Sequence, residues 1–168
     1  FIAPRRSVSL DPVALTPFLF GEDTWGRLVV VDGRVDQGLS RLPDDAGITC
    51  RSFAEAFADG DPMVEQCLGQ VVPFDMNAFT AINSALSVDG VILHVADQAV
   101  LSHPLHIVHV ATTASAGSVI APRTLLVLGA GATATVVESF VSLSGADATG
   151  GRPYLRNACA EITLGQGA

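Results

Sequence analysis

His94, His103, His106 and His109 crowd into one short stretch of the chain, and imidazole is among the commonest metal ligands. A metal site needs such side chains to converge. His106 and His109 stand three apart on an apolar run, Leu105 to Ala111, that reads as a strand, so they leave opposite faces. No carboxylate stands near them at obvious ligand spacing. The expectation is a set of partly buried, hydrogen-bonded histidines and no metal residue. Cys50, Cys67 and Cys159 raise the same question, because thiolates hold iron–sulfur clusters, usually four to a cluster. These three form no CxxC pair. Cys50 and Cys67 fall on candidate helices and Cys159 on a strand, so all three read as ordinary small buried side chains. Glu138 and Glu161 sit on strands among apolar neighbours, where a paired-carboxylate hydrolase would carry its acids. The plainer reading puts them on a solvated or inter-coil face, paired with Arg123 or Arg156. No nucleophile elbow is present, so no Ser-His-Asp arrangement can be argued.

The run Leu125 to Ala134 fits GxGxxA after an apolar strand, the fingerprint of dinucleotide-binding folds. Those folds need a helix next, because its N-terminus faces the pyrophosphate. Here Thr133-Ala134-Thr135-Val136-Val137 follows, β-branched and alternating. The turn therefore reads as a corner between strands. The alternative, an NAD-dependent oxidoreductase using the Gly129–Ala134 glycine-rich turn, requires a helix over 132–142; a strand there favours a scaffold. No catalytic, cofactor-binding or metal residue is assigned.

Composition narrows the classes further. The chain has 168 residues, 49% hydrophobic and 15% charged, ample for a buried core and unlike a disordered chain. Net charge is −8, and every basic residue is arginine. The absence of lysine removes P-loop and Schiff-base chemistry, and an acidic chain with scattered arginines makes a poor nucleic-acid binder. The longest uncharged stretch, Gln98 to Pro122, holds three histidines and two prolines, so no membrane span is expected. An odd cysteine count argues against a disulfide framework and for a reducing, cytoplasmic setting. No secretory leader is visible, and the opening Phe1 points to a start further upstream.

Charge divides the chain. Residues 1–97 hold twenty of the 26 charged side chains. In the first part, Arg27 to Val31 reads as a strand, Asp32-Gly33 as a two-residue turn and Arg34 to Asp36 as the returning strand. Ser52 to Ala58 is a short helix candidate, and Asp61-Pro62 starts another. Asp75 is expected to cap a third, with Phe79, Ile82 and Leu86 at helical spacing, and Asp89-Gly90 ends it. After residue 90 the pattern is β-rich: Val91 to Val95, Leu105 to Ala111, Thr124 to Leu128, Thr133 to Leu143 and a last run with Ala158, Ala160, Ile162 and Leu164 on one face. Leu128-Gly129-Ala130-Gly131-Ala132 is echoed by Leu164-Gly165-Gln166-Gly167-Ala168, 36 residues on. A glycine corner repeated after each strand group suits a β-solenoid. The expected fold is mainly β: a right-handed parallel β-helix over 89–168, preceded by a small mixed α/β or helical region over 1–88. Its uncapped end at Gly165–Ala168 is expected to self-associate.

Several segments carry a resemblance, densest after Phe79. They are Trp25 to Arg34 with its Asp32-Gly33-Arg34; Phe79-Thr80-Ala81-Ile82-Asn83-Ser84-Ala85-Leu86 with Asp89-Gly90-Val91-Ile92-Leu93-His94-Val95; Pro104 to Ile107; Pro122 to Val127 leading into Ala134 to Phe140; and Asn157 with Glu161-Ile162. Together they resemble the SufB/SufD family of iron–sulfur cluster assembly proteins, and Pro122 to Val127 resembles its SufD branch. The resemblance implies a helical N-terminal region, a right-handed parallel β-helix and a C-terminal helical region. It implies a non-catalytic scaffold that pairs with SufB and binds the ATPase SufC, in a complex that builds iron–sulfur clusters. The family's cluster-handling residues are expected beyond Ala168, so no cofactor is assigned to this stretch.

Overall fold

Apolar residues Leu28 to Val31 form strand β1 (Gly26–Val31), and Asp32-Gly33 reverses the chain into β2 (Arg34–Arg41). Both turn residues have positive φ, +50° and +85°, as a type I′ hairpin turn requires. Asp32 is buried. Its carboxylate accepts from the Thr112 backbone N–H (2.8 Å), the Thr112 hydroxyl (2.6 Å) and the Ser115 hydroxyl, so the turn is tied to the end of a distant strand.

The computed structural model describes residues 9–20, 24–42, 44–143 and 153–168. After β3 (Ile48–Ser52) come helices α1 (Phe53–Asp59), α2 (Pro62–Cys67) and α3 (Ala78–Leu86). Then follow β4 (Gly90–Val95), β5 (Leu105–Ala111), β6 (Val119–Ile120), β7 (Arg123–Leu128), β8 (Val136–Ser142), β9 (Leu155–Arg156) and β10 (Cys159–Leu164). One four-stranded sheet runs β2-β1-β5-β8, a second β10-β7-β4-β3, and β6 pairs with β9.

Each large sheet is mixed. β1 pairs antiparallel with β2, and β3 antiparallel with β4; the remaining pairs are parallel. This corrects the expected mainly-β, all-parallel β-helix, because each sheet carries an antiparallel edge and three α-helices pack in the same body. The reason is local. A strand returning through a two-residue turn can only pair antiparallel with its predecessor, and the β3 strand pairing was not apparent in the sequence. The parallel register itself follows the glycine echo: Leu128 lies beside Leu164, and Val95 beside Leu128.

The two sheets enclose a common core of Leu28 and Val30, Val91, Leu93 and Val95, and Leu105 and Ile107. Outside the first sheet, a 3-10 segment (Pro12–Phe18), capped by Asp11, lays Leu15 against Val29, Val31, Val108 and Val110. Burying one such leucine is worth about 2 kcal/mol. Outside the second sheet, Phe53, Ala56 and Val64 of α1 and α2 cover Ile92 and Leu125.

α1 falls on the expected Ser52–Ala58 stretch and begins with a Ser52–Glu55 capping box, and α2 begins with Asp61 as N-cap and Pro62 behind it, as read from the sequence. α3 starts later than expected. Asn77, not Asp75, is its N-cap, with Thr80 completing a capping box. Phe79 is 67% exposed, and the helix is seated instead by fully buried Asn83, whose amide donates to the carbonyls of Pro122 (3.2 Å) and Asn157 (2.7 Å).

At the corners the chain stacks closely. Gln98, Gly131 and Gly167 all have positive φ, and hydrogen bonds run from corner to corner: Gln98 N–H to Ala130, Gly131 N–H to Gln166. A β-carbon on Gly129 would stand 2.3 Å from Asp97 Oδ1 and 2.6 Å from the Asp97 backbone nitrogen. Gly129 is thus needed for stacking, whatever its likeness to a phosphate loop. Gly129→Ala is expected to lower stability by roughly 1–3 kcal/mol, read from the urea midpoint at unchanged m-value. An unchanged midpoint would mean that the stacked corner gives way freely.

Candidate functional site

β7 and β10 run in parallel register with Cys159 beside Arg123 and Glu161 beside Leu125, which sets Arg123 and Glu161 on the same outer face. Arg123 is 4% exposed and Glu161 0%. Arg123 Nε and Nη2 donate to Glu161 Oε1 at 2.9 and 2.6 Å. Its remaining donors reach Ser84 Oγ (2.8 Å), Asn83 Oδ1 (3.3 Å) and the Val72 carbonyl (2.7 Å). Glu161 also accepts the backbone N–H groups of Gly69, Val71 and Val72 at 2.9–3.2 Å. Burial acts to raise the Glu161 carboxyl, but the Gly69 and Val72 N–H groups and Arg123 outweigh it and hold it below the usual glutamate range. Of the two partners the sequence left open for it, Arg123 or Arg156, Glu161 meets Arg123, and the pair does not lie on a solvated face. It is buried beneath the segment between α2 and α3.

Glu138 makes a different contact from the one expected. Its Oε1 meets His109 Nε2 at 2.7 Å and accepts from the Thr124 hydroxyl at 3.1 Å, rather than pairing with an arginine. Burial acts to raise this carboxyl, and the His109 and Thr124 contacts bring it below its ordinary value. His109 stacks on Phe140 with ring centroids 4.7 Å apart, and the Arg156 guanidinium lies over the same Phe140 ring, 5.1 Å from its centroid. His109 Nδ1 is buried and has no hydrogen-bond partner among the described residues. His106, on the opposite face as its spacing requires, meets Ser139 Oγ at 2.8 Å and stacks on Phe20. Burial, then Arg27, pushes the His106 imidazole below its ordinary value, so it stays neutral near pH 7.

His94 is half-buried on β4 and His103 is exposed in the loop before β5. Among the described residues no group of three or more His, Cys, Asp or Glu side chains is placed to hold a metal ion. The three cysteines are free and half-buried. Cys50 lies on β3 rather than on a helix, and burial, with help from Glu55, pushes its thiol up to about 12, away from a reactive thiolate. The Gly129–Ala132 turn leads into strand β8, so no helix N-terminus faces it and the dinucleotide alternative loses its structural basis.

One feature was not legible in the sequence. A cleft of about 400 Å³ opens between α1, the Leu68–Phe74 segment and the Ser87–Asp89 turn, with Arg123 at its floor. Its walls come from separate stretches, one of them the helix α1 and the others a loop and a turn, which only the tertiary fold brings together.

Arg123→Met should cost roughly 3–5 kcal/mol, because it strands the Glu161 carboxylate in the interior, and Arg123→Met with Glu161→Leu should cost less than the single change. Folding lowers the Glu161 pKa, so its contribution is complete above the ordinary glutamate value near 4.5 and drains as pH falls through the lower folded value. Urea titrations from pH 6 downward should show an acid loss that Glu161→Gln flattens.

Two comparisons bear on what this arrangement belongs to. The family described as the SufBD protein N-terminal region matches residues 24–107, half of the chain. An iron–sulfur cluster assembly SufBD family protein of Synechocystis sp. is 29% identical over 171 aligned positions that include the whole chain. The chain spans 37% of that relative's length. The matched interval contains the Asp32-Gly33 hairpin, all three helices with buried Asn83, and the Asp89-Gly90 turn into β4, and on this footing the chain belongs to the SufBD family.

Proposed function

We propose that the chain is the early part of a SufD-type scaffold subunit that works with SufB and the ATPase SufC in assembling iron–sulfur clusters. The observation that carries this reading is the match to the SufBD N-terminal region, joined by a relative named for iron–sulfur cluster assembly that aligns along the whole chain. A scaffold rather than an enzyme is supported by how the reactive side chains are used. Arg123 and Glu161 spend their hydrogen bonds on holding helices to a sheet, and Glu138 engages His109 and Thr124. The SufD assignment is supported by the Pro122–Val127 segment, whose Arg123 is the hub of the buried network. A cytoplasmic setting suits three free thiols. Among the described residues no helix is long and apolar enough to cross a membrane.

The test uses the full-length protein, tagged and co-expressed with SufB and SufC of the same organism. All three should elute together, and anaerobic cluster formation with iron and a cysteine desulfurase should drop when this subunit is omitted. A protein that elutes alone, and whose omission leaves cluster yield unchanged, would sink the assignment.

A further inference from the structure

The helical layer over the second sheet has an unfilled cleft and a one-sided charge pattern. Phe57 and Phe74 on the cleft wall are 61% and 66% exposed, and Val71 and Met76 nearby are exposed as well. Large apolar side chains grouped around a concavity mark a binding surface rather than scattered surface noise. From Ser52 to Pro122 the chain carries no Arg or Lys at all. The same elements carry Glu55 and Asp59 on α1, Glu65 on α2, and Asp75 beside Phe74. Asp59 is neutralised by Arg51, whereas Glu65 and Asp75 are exposed with no ion pair among the described residues.

Arg123 at the floor offers nothing to an anion. Its donors are already directed at Glu161, Asn83, Ser84 and Val72. A fatty acid, a phosphate ester or an anionic membrane would meet Asp89 in the lining, Glu65 and Asp75 on the adjoining elements and, among the described residues of this layer, no free cation. An apolar occupant with positive flanks suits both the apolar walls and the acidic elements beside them. Helices that dock in grooves do so with apolar anchors at i, i+3, i+4 and i+7 and charges beside them.

We propose that this cleft is the docking site for an amphipathic, positively charged helix of a partner protein, which sets apolar anchors against Phe57 and Phe74 and its Lys or Arg residues against Glu65 and Asp75. The inference goes beyond the scaffold reading and does not depend on which assembly the protein serves.

The probe is a short fluorescein-labelled Leu/Lys peptide with leucine at those spacings, titrated into the chain; the same peptide with Glu for Lys, and oleate, are the comparisons. The Lys peptide should bind, the Glu peptide and oleate should not, and salt should weaken binding. Hydrogen exchange should slow at 53–58 and 68–76. Phe57→Ser with Phe74→Ser changes only exposed side chains and should weaken binding at least about tenfold. Glu65→Gln with Asp75→Asn should weaken it several-fold and flatten the salt dependence, while Ile162→Ser on β10 should have no effect. No binding, protection elsewhere on the chain, equal binding of the Glu peptide or oleate, or indifference to the Phe57 and Phe74 changes would each overturn the proposal.

Discussion

The buried pair between Arg123 and Glu161 is the constraint on which the rest of the helical layer depends. Taking both charges out of water costs several kcal/mol each, and their attraction offsets that only if the remaining donors and acceptors are satisfied. They are satisfied here by groups from the Gly69–Val72 segment and from α3. Those segments contribute few large apolar side chains to the core, and Phe74, Met76 and Phe79 all face out. Their position is therefore set by polar geometry. The pair adds little net stability by itself and instead specifies where the backbone of residues 69–72 must lie.

The same division of labour recurs at the other end of the strands. Corners at Gln98, Gly131 and Gly167 stack backbone on backbone, so that peptide groups which would otherwise need water are bonded to the neighbouring corner. Close approach excludes a β-carbon at Gly129, and the stacking in turn holds the parallel strands in register. Hydrophobic burial between the sheets supplies the driving force, and the corners and the polar hub decide the arrangement.

This arrangement separates the buried polar groups from the exposed apolar surface. The most reactive polar groups are locked into architecture, while Phe57, Phe74 and Phe79 on the helical layer are left outside. Glu138 and His109 form an internal clasp between β8 and β5, with Thr124 joining from the opposite sheet, so even the carboxylate–imidazole pair acts as a tie across the core.

Local chemistry was enough to determine much of this protein. The Asp32-Gly33 hairpin, the Ser52 and Asp61 helix caps, the strands from Val91 to Leu164 and the opposed faces of His106 and His109 all follow from interactions within a few residues. The glycine echo and the family motifs were equally plain in one dimension. Other features depended on partners distant in the chain. Asn83 reads as an unremarkable helix residue until Pro122 and Asn157 arrive beneath it, 39 and 74 positions later. β3 has an irregular pattern because it is an edge strand, defined by its pairing with β4 rather than by its own side chains. Leu15 gains its role only where the first sheet passes under it. Whether Glu161 met water or Arg123, and whether the chain built all-parallel coils or two mixed sheets, was decided in the tertiary structure, because burial and strand direction belong to pairs of segments and are written in neither alone.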